Sequence, residues 1–150
     1  MNKRLIYLIN GIVLICIDQI TKILMINKNF IVIPNFLEIN YLQNYGIAFG
    51  VGNGGIIKII FFNVILIGII IYFIEKKKSN MDKRILFLLN MILAGGISNL
   101  LDRIFRGYVI DFISVKLYKF PVFNTADIII TVSIIILIII ILSNCLKSKK

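Results

Sequence analysis

Long apolar segments separated by shorter polar stretches dominate the hydropathy pattern of this 150-residue chain. The apolar segments cover residues 5–26, 56–74, 85–101 and 122–142. Each approaches the roughly 20 residues that an α-helix needs to cross about 30 Å of hydrocarbon. We therefore predict a membrane all-α fold, in which a single domain, residues 1–150, contains four transmembrane helices.

A different pattern occupies the stretch between the first two apolar segments. The sequence "FIVIPNFLEINYLQN" is rich in β-branched and aromatic residues with partial alternation, which predicts short strands within residues 30–43. The following "NYGIAFGVGNGG" supplies glycine where the backbone must turn or be approached closely. The first loop between spans is therefore more than a plain linker.

Composition supports the membrane assignment and limits the possible partners. Hydrophobic residues make up 59% of the chain, and the mean hydropathy is +0.98. A soluble domain of this size could not bury so much apolar surface, so the lipid bilayer must act as solvent. The net charge of +10 could indicate nucleic acid, but the basic residues cluster at the ends of apolar spans. We expect the bilayer, and no nucleic acid, as a partner.

The distribution of basic residues predicts the orientation of the spans. Basic residues precede the first span, the link "EKKKSNMDKR" holds five, and the tail "LKSKK" adds three. Since cytoplasmic loops carry an excess of Lys and Arg, both termini and this link should be cytoplasmic. Residues 27–55 and 102–121 would then lie outside, although four basic residues in the second of these loops weaken the contrast.

The residue types that are missing exclude several kinds of hydrolase. The chain has no His, and its two cysteines, Cys16 and Cys145, are far apart in sequence and form no metal-ligand cluster. Zinc proteolysis through H-E-x-x-H and every mechanism that pairs His with Ser or Cys are therefore excluded. We expect neither a metal nor another cofactor.

The acidic residues are few, and their positions are informative. With the predicted orientation, Asp18 lies in the outer half of the first span, and Asp102 ends the outgoing third span. Asp111 lies in the second outer loop, and Asp127 opens the returning fourth span. Four of the five aspartates thus converge on the outer membrane boundary, while Asp82 lies in the cytoplasmic link.

Two of these acids have a structural explanation in their helical neighbours. Asp18 and Lys22 are four residues apart, so they can neutralise each other on one helix face. Asp102 and Arg106 have the same spacing. A structural ion pair explains Asp18 as well as chemistry does, and it explains Asp102 somewhat better than chemistry does.

Asp127 and Asp111 also have structural alternatives. If Asn124 caps the fourth helix, "NTAD" places Asp127 at the third helical position, as in a capping box. Asp111, within "GYVIDFISV", could be an outward polar residue on an amphipathic edge.

Asp111 and Asp127 nevertheless differ from the other acids, since neither has a basic residue three or four positions away. They bracket a short loop that can fold back and bring them together. Two close carboxylates cannot both ionise, so one holds a proton while the other stays charged. Such a pair can activate water and polarise a carbonyl, which is the chemistry of aspartic peptide hydrolysis.

Two other classes of membrane protein are open alternatives at this point. A small ion-coupled transporter would also carry intramembrane acids, although these are expected near the midplane and often with internal repeats. A non-enzymatic membrane scaffold would not need unpaired acids. The position of the acids at one membrane face favours the protease.

Five motifs in order along the chain carry a resemblance to a known family. They are "DQITK" at residues 18–22, "NYGIAFG" at 44–50, "GGISNLLDR" at 95–103, "RGYVIDFI" at 106–113 and "FPVFNTADIII" at 120–130. On these motifs the sequence resembles lipoprotein signal peptidase (signal peptidase II), a bacterial membrane aspartic protease. The resemblance covers nearly the whole chain.

The resemblance implies roles for individual residues. The family's catalytic dyad falls on Asp111 and Asp127, with Asn124 as the amide beside the second aspartate. The remaining matches line the site, support it or allow close packing: Asn44, Asn99, Arg103, Asp18, Lys22, Asp102, Gly46 and Gly96. The sequence departs from the family pattern at Ser98 and Gln43, which puts only local packing or substrate preference in doubt.

The resemblance also implies a fold and a function. It implies a small extracytoplasmic β-platform built from the first outer loop. The implied reaction cuts the signal peptide from a prolipoprotein just before a diacylglyceryl-modified cysteine, at the outer face of the bacterial cytoplasmic membrane. The implied partners are these prolipoproteins, the lipid bilayer and cyclic peptide inhibitors of the globomycin type.

Overall fold

Four helices and three strands make up the part of the chain that the computed structural model describes, residues 3–46, 55–77, 81–117 and 120–148. Most of the predicted Gly-rich turn segment and part of the basic link lie outside these residues. In chain order the elements are α1 (Lys3–Leu24), β1 (Asn29–Ile33), β2 (Leu37–Asn44), α2 (Gly55–Lys77), α3 (Lys83–Arg106), β3 (Val109–Val115) and α4 (Thr125–Ser148).

The four helices confirm the predicted membrane all-α class. Each is long and apolar enough to cross a bilayer, with 20 to 24 residues in the candidate spans. Helix α3 packs against α1, α2 and α4, so it forms the centre of the bundle. Its apolar window is accordingly 33% buried, whereas those of the other three are 6–11% buried and present their aliphatic side chains to lipid.

The ends of the helices differ from the ends of the predicted apolar segments. Polar residues at a helix terminus help to define where the helix begins or ends, but they do not raise the hydropathy of the segment. Helix α3 begins after Asp82, whose side chain accepts a 2.8 Å hydrogen bond from the Arg84 N–H. It ends at Arg106, and the left-handed φ of 81° at the C-cap residue Gly107 lets the chain turn directly into β3. Helix α4 begins at Thr125, later than the predicted residue 122, because Asn124 caps it.

The predicted β-platform is present, and it contains one strand more than the first outer loop supplies. The three strands form an antiparallel sheet in the order β1-β2-β3, with Leu42 opposite Asp111 and Asn44 opposite Val109. Strand β3 comes from the chain after α3. The side chains of residues 109–112 are buried on both faces of the sheet, so β3 lacks the alternation that marks a half-buried strand.

One further contact joins this sheet to the start of α4. Phe123 forms an isolated antiparallel bridge with Ile113, and its carbonyl accepts hydrogen bonds of 3.0 and 2.8 Å from the N–H groups of Phe112 and Ile113. The chain after β3 therefore folds back onto that strand before α4 begins. Asp111 and Asn124 are brought close together as a result.

Helices α3 and α4 pack closely at Gly95. A Cβ atom at this position would lie 2.7 Å from Ile130 Cγ1 and 3.0 Å from the Ala126 carbonyl oxygen. Gly96, which the family resemblance marks as a position of close packing, would meet only an ordinary contact of 3.8 Å with Ile67. Gly46 likewise meets nothing closer than 3.9 Å, so the tight approach is at Gly95 instead.

We expect Gly95→Ala to destabilise the protein by about 1–3 kcal/mol, because overpacking at a rigid backbone contact forces the two helices apart. Gly96→Ala is the matched control, and it should be neutral or slightly stabilising because alanine favours the helix. Thermal unfolding of both variants in the same detergent measures the difference. Equal melting temperatures for the two variants would contradict this packing.

Candidate active site

A cavity of about 840 Å³ lies between the sheet, the carboxyl end of α3 and the amino end of α4. Its polar lining includes Gln43, Asn44, Tyr45, Asn99, Arg103, Thr131, Asp111 and Asp127. Its apolar lining includes Leu42, Val109, Phe120, Pro121, Val122, Phe123, Ile128, Ile130 and Val132. The two aspartates that the sequence left without cationic neighbours therefore face one cavity.

The start of α4 holds Asp127 in a reciprocal capping box. The Asp127 N–H donates to Asn124 Oδ1 at 3.0 Å, and the Asn124 N–H donates to Asp127 Oδ2 at 3.2 Å. The predicted capping role of Asp127 is therefore confirmed. Its second oxygen, Oδ1, accepts a 2.9 Å hydrogen bond from Asn99 Nδ2 on α3, so both carboxylate oxygens are held in place.

Strand β3 holds Asp111 with its carboxyl group between two amides. Asn44 Nδ2 donates to Asp111 Oδ2 at 2.8 Å, and Asn124 Nδ2 donates to Asp111 Oδ1 at 2.7 Å. The residue is 1% exposed, so the alternative of an outward polar residue on an amphipathic edge is wrong. The side chain points inward because β3 is covered on both faces.

Asn124 connects the two acids directly. It caps the helix of Asp127 through Oδ1 while its amide nitrogen donates to Asp111 Oδ1. The same nitrogen also lies 3.2 Å from Asn99 Oδ1. One fully buried side chain thus contacts both acids and the amide that binds the second of them.

Burial raises the pKa of Asp111 from 3.8 to about 6, because the interior disfavours its charged form. The amide hydrogen bonds from Asn44 and Asn124 oppose this rise, and the nearby Asp127 charge adds to it. A carboxyl group with this pKa can hold a proton near neutral pH, as one member of an acid–base pair must.

This raised pKa predicts a pH dependence of stability. Between pH 3.8 and about 6 the folded state binds more protons at Asp111 than the unfolded state does. The contribution of Asp111 is therefore fully present below pH 3.8 and is lost as pH rises through about 6. Asn at this position does not titrate. The melting temperature of Asp111→Asn, relative to that of the wild type, should therefore increase as pH rises through about 6. A pH-independent difference would contradict the raised pKa.

Behind the cavity wall lies a buried cluster of charged groups from α1 and α3. The Lys22 ammonium is 2.7 Å from Asp18 Oδ2 and 2.9 Å from Asp102 Oδ2, and it donates to Asn99 Oδ1 at 2.7 Å. Asp102 also contacts Arg106 one turn later in α3. Both ion pairs expected from the helical spacing are confirmed, and Lys22 joins the two helices as well.

The contacts of Gln19 and Ser98 in this network were not predicted from the sequence. Gln19 donates to Asp102 Oδ1 at 2.9 Å and to Ser98 Oγ at 3.0 Å. Ser98 Oγ in turn donates to Asp18 Oδ2 at 2.7 Å, so its departure from the family pattern supplies a hydrogen bond. The available signal was the presence of two uncharged polar residues within apolar spans, since such residues need partners there.

Arg103 holds the chain that follows β2. Its guanidinium donates to the Gly46 carbonyl at 3.3 Å and to the Asn99 carbonyl at 3.1 Å. The Gly46 N–H donates in turn to Asn44 Oδ1 at 3.0 Å. Asn44, Gly46, Asn99 and Arg103 therefore all lie at the cavity, as the resemblance implied. Among the described residues, no group of three or more acids, cysteines or histidines is placed to hold a metal ion.

Comparison with protein families gives a match over most of the chain. The profile of the family described as Signal peptidase (SPase) II matches residues 11–143. The lipoprotein signal peptidase of Clostridium novyi (strain NT) is 37% identical over 137 residues, which cover 85% of this chain and 91% of that protein. The lipoprotein signal peptidase of Staphylococcus aureus (strain JH9) is 34% identical over 166 aligned residues, covering 100% of this chain and 98% of that protein.

Solved structures share the fold. A bacterial membrane enzyme determined by the in meso method at 2.3 Å resolution superimposes with a TM-score of 0.83 and 30% sequence identity. The match covers 96% of this chain and 91% of that chain. A second such structure, at 1.9 Å resolution, gives a TM-score of 0.78 with 91% of both chains covered. The bundle and its sheet are therefore a recurring architecture.

Proposed function

Because this chain belongs to the signal peptidase II family, we propose that it is an aspartic endopeptidase whose catalytic residues are Asp111 and Asp127. The observation that carries this proposal is the Asn124 side chain, which contacts both acids where they face one cavity. The family assignment itself makes the chain a bacterial membrane peptidase that removes signal peptides from prolipoproteins. It decides against the ion-coupled transporter and the scaffold.

The two carboxyl groups perform different proton transfers in the proposed reaction. One carboxylate takes a proton from a water molecule, which attacks the scissile carbonyl carbon. The other, protonated carboxyl group donates its hydrogen to the carbonyl oxygen, so the tetrahedral intermediate forms without a covalent bond to the enzyme. The proton taken from water then passes to the leaving amine as the C–N bond breaks. One hydroxyl group of the intermediate returns its proton to the second carboxylate as the carbonyl re-forms, which restores the dyad. Hydrogen bonds from Asn44, Asn99 and Asn124 keep the two carboxyl groups in position through these steps.

The substrate lies with its signal peptide in the bilayer and its scissile bond at the dyad, which cleaves before the diacylglyceryl-modified cysteine. The apolar lining along α4, including Ile128 and Val132, supports this arrangement because it extends the cavity along the lipid-facing part of the helix. Lipid anchoring lowers the entropic cost of bringing the bond to the dyad. Cyclic peptide inhibitors of the globomycin type would bind in the same cavity.

The active site faces the extracytoplasmic side in this proposal. The carboxyl end of α2 and the amino end of α3, which flank the basic link in sequence, lie at the end of the bundle opposite the sheet. Cytoplasmic loops carry such excess positive charge. Both termini are then cytoplasmic as well. The sheet, the cavity and the dyad lie together at the outer boundary of the cytoplasmic membrane, where water can reach a lipid-anchored substrate.

The substrate requirement can be tested with the purified enzyme in lipid vesicles. A prolipoprotein that carries a diacylglyceryl-cysteine should be cut immediately before that cysteine, and mass spectrometry of both products identifies the bond. The same prolipoprotein without the lipid should be cut at least about 100-fold more slowly, because anchoring supplies much of the positioning. Equal cleavage of both substrates would contradict the lipid requirement, and loss of activity in chelator would contradict a mechanism carried by two carboxyl groups.

A further inference from the structure

We infer that the buried cluster of Lys22, Asp18 and Asp102 sets the relative position of the two catalytic carboxyl groups. The inference rests on the proposed aspartic mechanism, because it assigns a task to charged residues that this chemistry does not use. All three residues are 0–1% exposed and lie behind the residues that line the cavity. Each of them makes one contact that leads to the dyad.

Asp18 holds the start of α4. Its Oδ1 accepts a 2.7 Å hydrogen bond from the N–H of Ala126, the residue immediately before Asp127. The first N–H groups of a helix have no partner within that helix. A carboxylate on α1 supplies the missing partner here, and the positive end of the helix dipole favours its charge. This contact fixes the position of Asp127 relative to α1.

Asp102 makes the corresponding contact with the chain just before Asp111. Its Oδ2 accepts a 3.3 Å hydrogen bond from the N–H of Ile110, the residue immediately before Asp111. The same oxygen is 2.9 Å from Lys22 Nζ. The residue before each catalytic aspartate therefore donates its backbone N–H to a buried carboxylate. These two carboxylates, Asp18 and Asp102, both bind the Lys22 ammonium group.

Lys22 also orients the amide that binds Asp127. Its ammonium donates to Asn99 Oδ1 at 2.7 Å, which leaves Asn99 Nδ2 directed at Asp127 Oδ1 at 2.9 Å. An ammonium has three protons, and Asp18, Asp102 and Asn99 accept them. A flipped Asn99 amide would present a donor to the ammonium and an acceptor to the carboxylate, so the charge of Lys22 selects a single orientation.

The cost of burying these charges favours a positioning role over a purely stabilising one. A buried ion pair contributes little net stability, because desolvation offsets its attraction, but removal of one partner leaves an uncompensated charge. The cluster therefore constrains geometry more than it adds to the free energy of folding. Positioning matters at a dyad, since a displacement of about 1 Å can cost about 100-fold in rate.

Lys22→Met tests this role, because methionine fills a similar volume without a charge or a donor. We expect kcat per folded molecule to fall about 100-fold, while KM stays within about twofold because the cavity lining is retained. Cleavage of the lipidated prolipoprotein gives both constants, and gel filtration with thermal unfolding gives the folded fraction. Lys58→Met, which removes an exposed lysine from α2, is the matched control and should leave both constants unchanged.

The double variant Asp18→Asn/Lys22→Met separates positioning from folding. It removes one charge of each sign, and the new amide oxygen can still accept from the Ala126 N–H. We expect its melting temperature to recover toward the wild type while kcat stays low, because Asn99 has lost the group that orients it. This variant also decides the question if Lys22→Met alone does not fold.

A wild-type kcat in either folded variant would overturn the positioning role, since a merely structural cluster would change only the folded fraction. That result is distinguishable from failure of the proposed mechanism. If Asp111→Asn is inactive while Lys22→Met keeps the wild-type kcat, only the positioning role is wrong. If Asp111→Asn remains active, the aspartic mechanism itself is wrong.

Discussion

Purified Asp111→Asn and Asp127→Asn variants are expected to cleave a lipidated prolipoprotein at least about 1,000-fold more slowly than the wild type. Asparagine has nearly the same shape as aspartate, but it can neither take a proton from water nor donate an acidic one. Since the proposed mechanism uses both carboxyl groups in the same step, either substitution alone should be enough. The rate is measured from the appearance of the free signal peptide in detergent or vesicles.

The folded state of these variants must be established alongside the rates, because both aspartates accept structural hydrogen bonds. Asp127→Asn keeps an oxygen that can accept the Asn124 N–H, so the cap of α4 can persist. Asp82→Asn is the matched control: Asp82 caps α3 at the end away from the cavity, and asparagine caps helices equally well. It should retain the wild-type rate, whereas full cleavage by either folded dyad variant would exclude the dyad.

The second large effect is expected at Asn124, because its side chain both caps α4 and donates a hydrogen bond to Asp111. Asn124→Ser keeps an oxygen that can cap α4 but lacks the amide that donates to Asp111 and reaches Asn99. We expect kcat to fall about 100-fold, because Asp111 loses one of its two amide donors and its position relative to Asp127 relaxes. The melting temperature should fall only slightly.

Asn124→Ala provides the comparison that isolates the capping role. It removes both the cap and the amide, so it should lose about 1 kcal/mol of stability more than Asn124→Ser. The two variants should nevertheless share a similarly low kcat, since both lack the donor to Asp111. Parallel kinetics and thermal unfolding measure this difference. A near-normal kcat in Asn124→Ser would show that the contact with Asp111 is not needed for turnover.

Much of the fold could be predicted because its determinants repeat at short range. A bilayer requires about 20 consecutive apolar residues per helix, and segments of this kind are visible in the hydropathy pattern. The ion pairs of Asp18 with Lys22 and Asp102 with Arg106 follow from the same helical geometry, as does the capping box at Asp127. Strand β3 escaped prediction because burial on both faces removes the alternation that identifies a strand.

The sequence by itself determined the number of helices, the family and the two acids without cationic neighbours, because each is a property of one segment or of motifs in order. Only the tertiary structure decided that these acids face one cavity. Their meeting depends on the bridge between Phe123 and Ile113 and on the contacts of Asn124. Lys22 likewise binds Asn99, 77 residues away in the chain. Such contacts join segments distant in sequence, and no local pattern specifies them before the helices and the sheet have packed.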